Sequence, residues 1–215
     1  DYGINNGDKN YKHKDESKEI FETFWAQSLS EENWSKGQGI GGMLNLGDFN
    51  LYFLDARSFR TNDKEGTHLG LDQSAWLYSK LREEGTPSLI IKGDQFFGGY
   101  QEFESFEGNH PKEFSSFVTE LSKINTPFVF ISGDRHMSEI MHFPRSVFGK
   151  PSFEITSSPI HGKVYPGTDS NPWRVVAEKD HINFTLVDHE ARDNHWFMDV
   201  ENIGENGEVY YRREL

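Results

Sequence analysis

Short apolar runs followed by glycine and charged residues are the clearest pattern along this chain. Residues 128–131 form one such run, and it is followed by Gly133, Asp134, Arg135 and His136. A run that short and bulky predicts a strand buried on both faces. Ligands in open α/β sheets gather beyond the carboxyl ends of such strands. The pattern therefore predicts a candidate site where an acid, a guanidinium and an imidazole meet.

A second apolar run, residues 88–91, ends in the same way, at Gly93 and Asp94. Between the two runs, Pro111 begins a segment whose apolar residues have helical spacing up to residue 121. Strand, helix and strand predict a βαβ unit, in which both strand ends lie at one edge of the sheet. We therefore expect Asp94 and Asp134 to face the same cleft.

The remaining pattern predicts an α/β chain that ends in antiparallel sheet. Asp15 and Asp72 are expected to cap helices, and residues 43–54 to form a hairpin. The aromatic segment 96–106 is expected to be mostly core, although a ligand-binding use stays open. Residues 188–195 are expected to form a hairpin loop, with calcium binding as the alternative. The later predicted strands are residues 140–143, 153–156, 182–187, 196–200 and 209–211.

Composition narrows the classes of function. With 215 residues the chain fits one domain or a large part of one, and 18 Phe, 8 Tyr and 5 Trp supply buried area. A net charge of −13 argues against a nucleic-acid partner. No cysteine is present, which excludes disulfides and thiolate metal sites. No stretch is long and apolar enough to span a membrane, and no signal peptide is visible.

Several residues beyond predicted strand ends are candidate site residues. Carboxylate with imidazole suits a divalent or trivalent metal, so His136 is a candidate ligand and Asp134 a ligand or its partner. The alternative is a histidine bonded to backbone. Arg57 and Arg60 could hold phosphate, or could form surface ion pairs beside Asp55.

Two further histidines, His161 and His110, are candidate site residues because of the segments around them. His161 lies in a loop of small residues beyond a predicted strand, which suits a tight turn near a ligand or an ordinary loop. The segment Gly108, Asn109 and His110 is similar to a motif of metal-dependent phosphoesterases. Because Pro111 follows, we expect Asn109 or His110 to cap a helix instead.

In order and spacing, segments across about residues 1–190 resemble the PhoD-like alkaline phosphatases. Residues 1–9 resemble the tail of the Trp-Asp-Asp-His-Asp-Tyr-Gly-x-Asn-Asp motif of that family. Residues 14–24 resemble its next helix, and residues 54–60 its Leu-Asp-Thr-Arg segment. The further similar segments are Leu69 to Leu77, Ile131 to Glu139 with its Ser-Gly-Asp-x-His motif, and the loop Thr156 to Ser158. The chain begins inside the first motif, and Glu113-Phe114 stands where Glu-Arg is usual.

The resemblance implies a calcineurin-like metallophosphoesterase fold, a β-sandwich flanked by helices. It further implies that residues 1–215 are the carboxyl-terminal part of a single domain whose upstream metal-binding half is absent. Iron and calcium are the implied cofactors, and other metals stay open. His136, Asp134, Asp1 and Tyr2 are the implied metal-site residues, and Arg57 and Asp134 border the catalytic centre.

The implied activity is hydrolysis of phosphomonoesters or phosphodiesters by a metal-activated hydroxide, with Arg57, Arg60 and His161 binding substrate. The expected partners are a phosphate ester and the upstream part of the same enzyme, and the expected location is periplasmic or secreted. The alternative is a catalytically silent metal- or ligand-binding β-sandwich module.

Overall fold

The computed structural model describes residues 3–25, 33–100, 105–165, 169–192 and 195–215. The chain divides into two compact units. Unit 1 comprises Asp1–Lys92 with Asn109–Pro127, and unit 2 comprises Gly93–Gly108 with Phe128–Leu215. No helix among the described residues is long and apolar enough to cross a membrane.

Unit 1 contains a mixed sheet with helices. Strands β1, β2 and β3 pair antiparallel in that order, and β4 joins β3 in parallel. The hairpin predicted for residues 43–54 is confirmed as β2 and β3. The elements are α1 (Lys14–Trp25), β1 (Trp34–Lys36), β2 (Gly42–Asn45), β3 (Asn50–Phe53), α2 (Leu71–Glu84), β4 (Ser88–Ile91) and α4 (Pro111–Leu121). The short helix α3 (Phe106–Asn109) comes directly before α4 in the chain, and all of its residues except Asn109 belong to unit 2.

Unit 2 contains two sheets. In the first, the order is β5-β7-β6-β8, with β5 and β7 parallel and the other pairs antiparallel. In the second, β9, β10 and β11 form an antiparallel meander, as the sequence predicted. The elements are β5 (Phe128–Ser132), β6 (Ser138–Phe143), α5 (Arg145–Phe148), β7 (Ser152–Thr156), β8 (Arg174–Glu178), β9 (Asn183–Arg192), β10 (His195–Gly204) and β11 (Val209–Glu214).

Aromatic side chains build the core of unit 2. Phe97 packs against Phe143 in a tilted arrangement with ring centroids 4.0 Å apart, and the ring centroid of Phe96 lies 4.6 Å from that of Phe130. Phe128 meets Phe148 edge-on at 5.1 Å. The expectation that the aromatic segment after β4 contributes core is thus confirmed for the rings at positions 96, 97 and 106. Large aromatic surfaces compensate here for the low aliphatic content.

The two sheets of unit 2 are joined by buried polar contacts. The Ser138 hydroxyl donates to the amide oxygen of Asn183 at 2.6 Å, and the same oxygen accepts from the Asn202 side chain at 2.7 Å. The Thr185 N–H donates to the Ser157 hydroxyl at 3.0 Å. These contacts fix the meander against the start of β6 and the loop after β7.

Three local predictions were wrong. Helix α1 begins at Lys14, so Asp15 lies in its first turn and does not cap it. Helix α2 begins at Leu71 with Gly70 at the cap position, so Asp72 is also inside the first turn. The polar residues predicted as a loop at 188–195 extend β9 and β10 instead, as far as those residues are described, because cross-strand pairing with ladder hydrogen bonds outweighs their low apolar content.

Candidate functional site

The turn after β5 has an uncommon backbone. Asp134 and His136 both have positive φ, 66° and 54°, a region that costs energy for residues with a side chain. The N–H of Gly133 donates to the carbonyl of Gly93 at 2.9 Å. The predicted convergence of the two glycine-acid turns is therefore seen in the backbone of unit 2.

The two acids of these turns differ in environment. Asp94 is 2% exposed, whereas the Asp134 side chain is exposed to solvent. Among the described residues, the Asp134 carboxylate has no hydrogen-bond partner. An exposed carboxylate at a strained turn is available to a ligand, so of the two predicted acids Asp134 is the one that can contribute a donor from the surface.

The loop from Ser158 to Tyr165 holds His136 in place. The His136 N–H donates to the Ser158 hydroxyl at 3.2 Å, and the Tyr165 N–H donates to the His136 carbonyl at 3.1 Å. The Tyr165 ring lies 4.9 Å from the imidazole. The imidazole Nδ1 contacts the carbonyl of Lys163. His136 is thus fixed at both its backbone and its ring.

The contact with Lys163 decides the tautomer of His136. A carbonyl only accepts, so Nδ1 must donate and the neutral ring keeps its lone pair on Nε2. Histidines that bind metals usually donate their other ring N–H to a carbonyl or carboxylate in this way. The ring is half-exposed. His136 therefore presents the donor atom that a metal ion requires.

His161 belongs to the same loop, so the structure brings this predicted residue to the neighbourhood of His136. Its side chain is exposed. A side-chain carbon at Gly162 would lie 3.7 Å from Cε1 of His136, which shows how closely the loop passes the imidazole. A role for His161 in binding substrate stays a prediction.

The turn after β3 has a structural explanation within unit 1. The Asp55 carboxylate is 2% exposed and accepts the N–H groups of Ile40, Arg57 and Ser58 at 3.1, 2.9 and 2.8 Å. The Ser58 hydroxyl also donates to it. The Asp55 backbone is bonded in both directions to the buried side chain of Gln73, at 2.8 and 2.9 Å. Asp55 is therefore occupied in shaping the turn.

The two arginines of this turn are less exposed than surface residues usually are. Arg60 is 7% exposed and Arg57 is half-buried, and both have interactions inside the chain. The Arg60 N–H donates to the Arg57 carbonyl at 3.2 Å. The alternative expected from the sequence, a surface ion pair, does not apply to Arg60, because this residue is buried. Phosphate binding by either residue stays a prediction.

His110 occupies the cap position of α4 but makes no side-chain cap. Its Nε2 lies 3.0 Å from the Thr61 carbonyl, and its Nδ1 lies 3.2 Å from Nδ1 of His68. Nε2 must therefore donate, because a carbonyl only accepts, and in a neutral His110 ring the lone pair on Nδ1 accepts from His68. Both rings are buried. His110, in the segment that is similar to a phosphoesterase motif, is therefore bonded to another buried histidine of the chain.

A neighbouring carboxylate completes the start of α2. Glu113 accepts the N–H groups of Leu69 and Gly70 at 3.4 and 3.0 Å, and that of His68. Gly70 has φ of 77° and no side chain of its own to cap the helix. Burial raises the pKa of Glu113, although these three backbone donors act in the opposite direction. The carboxylate from α4 supplies the missing cap.

Sequence reasoning missed a buried polar network in unit 2. Glu139, fully buried, accepts from Gln95 at 2.6 Å, Tyr100 at 2.5 Å, Asn171 at 3.1 Å and Arg174 at 2.5 Å. These residues lie far apart in the sequence, so no local pattern could predict that they interact. The one available signal was Glu139 itself, the only acid of the strand β6.

The network holds its members in defined protonation states. Burial, followed by the Glu139 charge, raises the pKa of Tyr100, so the phenol remains a donor. Burial alone would lower the pKa of Arg174, but its hydrogen bond and charge interaction with Glu139 raise it overall. The cluster is therefore a neutral phenol between a carboxylate and guanidinium groups.

A complete metal site is not formed by the described part of the chain. No group of three or more His, Cys, Asp or Glu residues that could hold a metal occurs there. His136 and Asp134 fit as individual donors. The predicted ligands Asp1 and Tyr2 lie outside the described residues. Any multi-metal centre would need ligands in addition to His136 and Asp134.

Comparison with known proteins defines the fold. No protein-family model matches the sequence, and no curated protein matches it at a significant level. The solved structure of PhoD matches 92% of this chain with a TM-score of 0.59 at 14% sequence identity. The match covers 48% of that protein, so the chain spans about half the length of PhoD. The predicted α/β class is confirmed, and the mixed sheets with flanking helices fit the carboxyl-terminal half of the fold that the resemblance implied.

Proposed function

We propose that this chain is part of a metal-dependent phosphoesterase that hydrolyses phosphomonoesters or phosphodiesters. The main support is the geometry of His136, whose Nδ1 is committed to the Lys163 carbonyl while Nε2 keeps its lone pair. The fold shared with PhoD is compatible with that class of enzyme. Further metal ligands would come from outside the described residues, in the upstream part of the same enzyme.

In this proposal the residues of the chain bind and orient. Bound metal ions of such enzymes lower the pKa of water and neutralise charge on the phosphoryl oxygens. His136 would hold one ion, with the exposed Asp134 carboxylate beside it. Arg57, Arg60 and His161 are proposed to contact the substrate. Iron and calcium are the proposed ions, and a periplasmic or secreted location is proposed with them.

The second candidate is a catalytically silent module of the same fold. It is favoured by the absence of a three-ligand cluster among the described residues. The two candidates differ in what the complete gene product does, because only the first requires bound metal and turnover of a phosphate ester.

The test uses the complete gene product with His136→Asn. Metal content is measured by mass spectrometry, and hydrolysis is followed with p-nitrophenyl phosphate and bis-p-nitrophenyl phosphate. We expect His136→Asn to lose metal and to lower kcat by about a hundredfold, because ligand loss removes the ion that stabilises the transition state. The control is His142→Asn, which changes an exposed histidine of β6 and should alter neither the metal content nor kcat.

Two results would count against the proposal. Full metal content with unchanged turnover in His136→Asn would remove His136 from the metal site. A complete protein that binds no metal and hydrolyses neither ester would favour the silent module.

A further inference from the structure

Arg135 is a buried cation without a matching anion. The residue is 9% exposed, and its Nε is buried without a hydrogen-bond partner. Within the described ranges its side chain makes no ion pair, and its guanidinium lies over the face of Tyr100, 5.4 Å from the ring centroid. Burying a guanidinium without a counter-charge is unfavourable, so an unpaired guanidinium at this turn points to a missing partner.

Arg174 borders the same ring. Its guanidinium lies 5.8 Å from the Tyr100 centroid. Nε is bonded to Glu139 and Nη1 to the carbonyl of Asp169, whereas Nη2 is buried and has no hydrogen-bond partner among the described residues. Each of the two guanidinium groups next to the Tyr100 ring thus has a buried nitrogen without a hydrogen-bond acceptor among the described residues.

The buried carboxylates nearby are already occupied. Glu139 accepts from four side chains, including Arg174 and Tyr100. Glu154 accepts the N–H groups of Phe96 and Phe97, each at 2.8 Å, and the Ser132 hydroxyl at 2.7 Å. Neither carboxylate pairs with Arg135, so the spare donors are not matched by an acid of the network.

We propose that Arg135, Arg174 and the ring of Tyr100 form a binding pocket for a tetrahedral oxyanion, of the phosphoryl class. Arginine presents several N–H donors in a fixed plane, which suits two oxygens of a phosphate. Glu139 holds Arg174 and Tyr100 in position from behind. Arg135 also lies next to His136 in sequence, so the pocket deepens the proposed phosphoesterase function. The inference rests on that function only for the identity of the natural ligand.

The first test measures anion binding without any metal. The protein is treated with a chelator, and inorganic phosphate is titrated by calorimetry at low ionic strength. We expect Arg135→Gln to weaken phosphate binding by about tenfold or more, as loss of charged hydrogen bonds implies. The exposed Arg213→Gln is the control and should keep the affinity of the unaltered protein. Unchanged affinity in Arg135→Gln, or no phosphate binding at all, overturns the proposal.

A measurement on the unaltered protein covers the case in which the variant does not fold. The Nε–H signal of Arg135 is followed by NMR during titration with phosphate, and it should shift with the same midpoint as the calorimetric curve. Phosphate should also raise Tm with increasing concentration, because a ligand that binds only the folded state stabilises it. An Arg135 signal that does not move at saturating phosphate overturns the proposal.

The source of the anion is resolved by a second ligand. Phenylphosphonate resembles a phosphomonoester and is not hydrolysed, so it is compared with inorganic phosphate. Tighter binding of phenylphosphonate indicates that the pocket takes the phosphoryl group of a substrate. Tighter binding of phosphate indicates that it takes the free anion. Either result supports the pocket if Arg135→Gln abolishes the binding. Because the protein is metal-free, these binding results do not depend on hydrolysis. A protein that binds phosphate through Arg135 but hydrolyses no phosphate ester would contradict the proposed function and leave the pocket supported.

Discussion

The N–H of Gly133 donates to the carbonyl of Gly93 at 2.9 Å, and this bond brings two glycine-acid turns side by side. A side-chain carbon at Gly133 would lie 3.1 Å from that carbonyl, whereas one at Gly93 would have no atom within 4 Å. The bond therefore depends on the absence of a side chain at only one of its two ends.

We expect Gly133→Ala to destabilise the protein by about 1–2 kcal/mol, because the methyl group pushes against a backbone oxygen. Gly93→Ala should stay within about 0.5 kcal/mol of the unaltered protein, since its surroundings are open. Urea unfolding measures both. Equal effects of the two substitutions would show that the contact at Gly133 is not the cause.

Asp55→Ala should cost at least about 2 kcal/mol, since it leaves the buried N–H groups of the turn without their acceptor. The matched control is Asp48→Ala, which changes an exposed acid in the preceding hairpin. Thermal unfolding provides the comparison. If Asp55→Ala were as stable as the control, the carboxylate would be free for another role, such as metal binding.

Glu113 should give the protein a specific pH dependence. Burial raises its pKa in the folded state above the usual 4.5, so the folded protein holds this proton more tightly than the unfolded chain does. The resulting stabilisation is fully present below about pH 4.5 and is lost as pH rises through the folded-state pKa.

The difference in unfolding free energy between the unaltered protein and Glu113→Gln should therefore fall as pH rises from about 4.5, since glutamine does not titrate. Denaturant unfolding between pH 4 and pH 8 measures it. Glu19→Gln, an exposed residue of α1, is the control. A difference that grows with pH over this window would show that the backbone donors dominate over burial.

Two phenylalanines with opposite environments test the assignment of the core. Phe24 is 71% exposed on α1, and Phe97 is 5% exposed within the aromatic cluster of unit 2. Phe97→Ala should cost about 3–5 kcal/mol through the cavity it leaves. Phe24→Ala should change stability by less than about 0.5 kcal/mol. Chemical unfolding of the two variants is the measurement, and a large loss in Phe24→Ala would mean that α1 is covered in solution.

Short apolar runs predicted much of the strand content well. Residues 88–91 and 128–131 became β4 and β5 within one residue, because a short run of bulky side chains has few alternatives to a buried strand. The helix beginning at Pro111 was also predicted, since proline favours the first helical position. By contrast, β1 and β8 were not predicted, because neither has a clear period in its own sequence.

The candidate site was only partly visible in the sequence. The glycine-acid turns and His136 could be found from local pattern alone, because a strand end followed by glycine fixes where the next side chains emerge. The role of Asp55 could not be found in this way, since its hydrogen-bond partners Ile40 and Gln73 come from other segments.

The sequence by itself determined most of the strands, the glycine-acid turns and the residue types at their ends, because these depend on neighbours within a few positions. Only the tertiary structure decided which of those side chains are occupied. It paired His110 with His68, tied His136 to Lys163, and placed Arg135 against Tyr100. Such partners come from segments that are distant in the sequence. Hydrogen bonding and burial in the folded chain determine them, and no local sequence pattern encodes these.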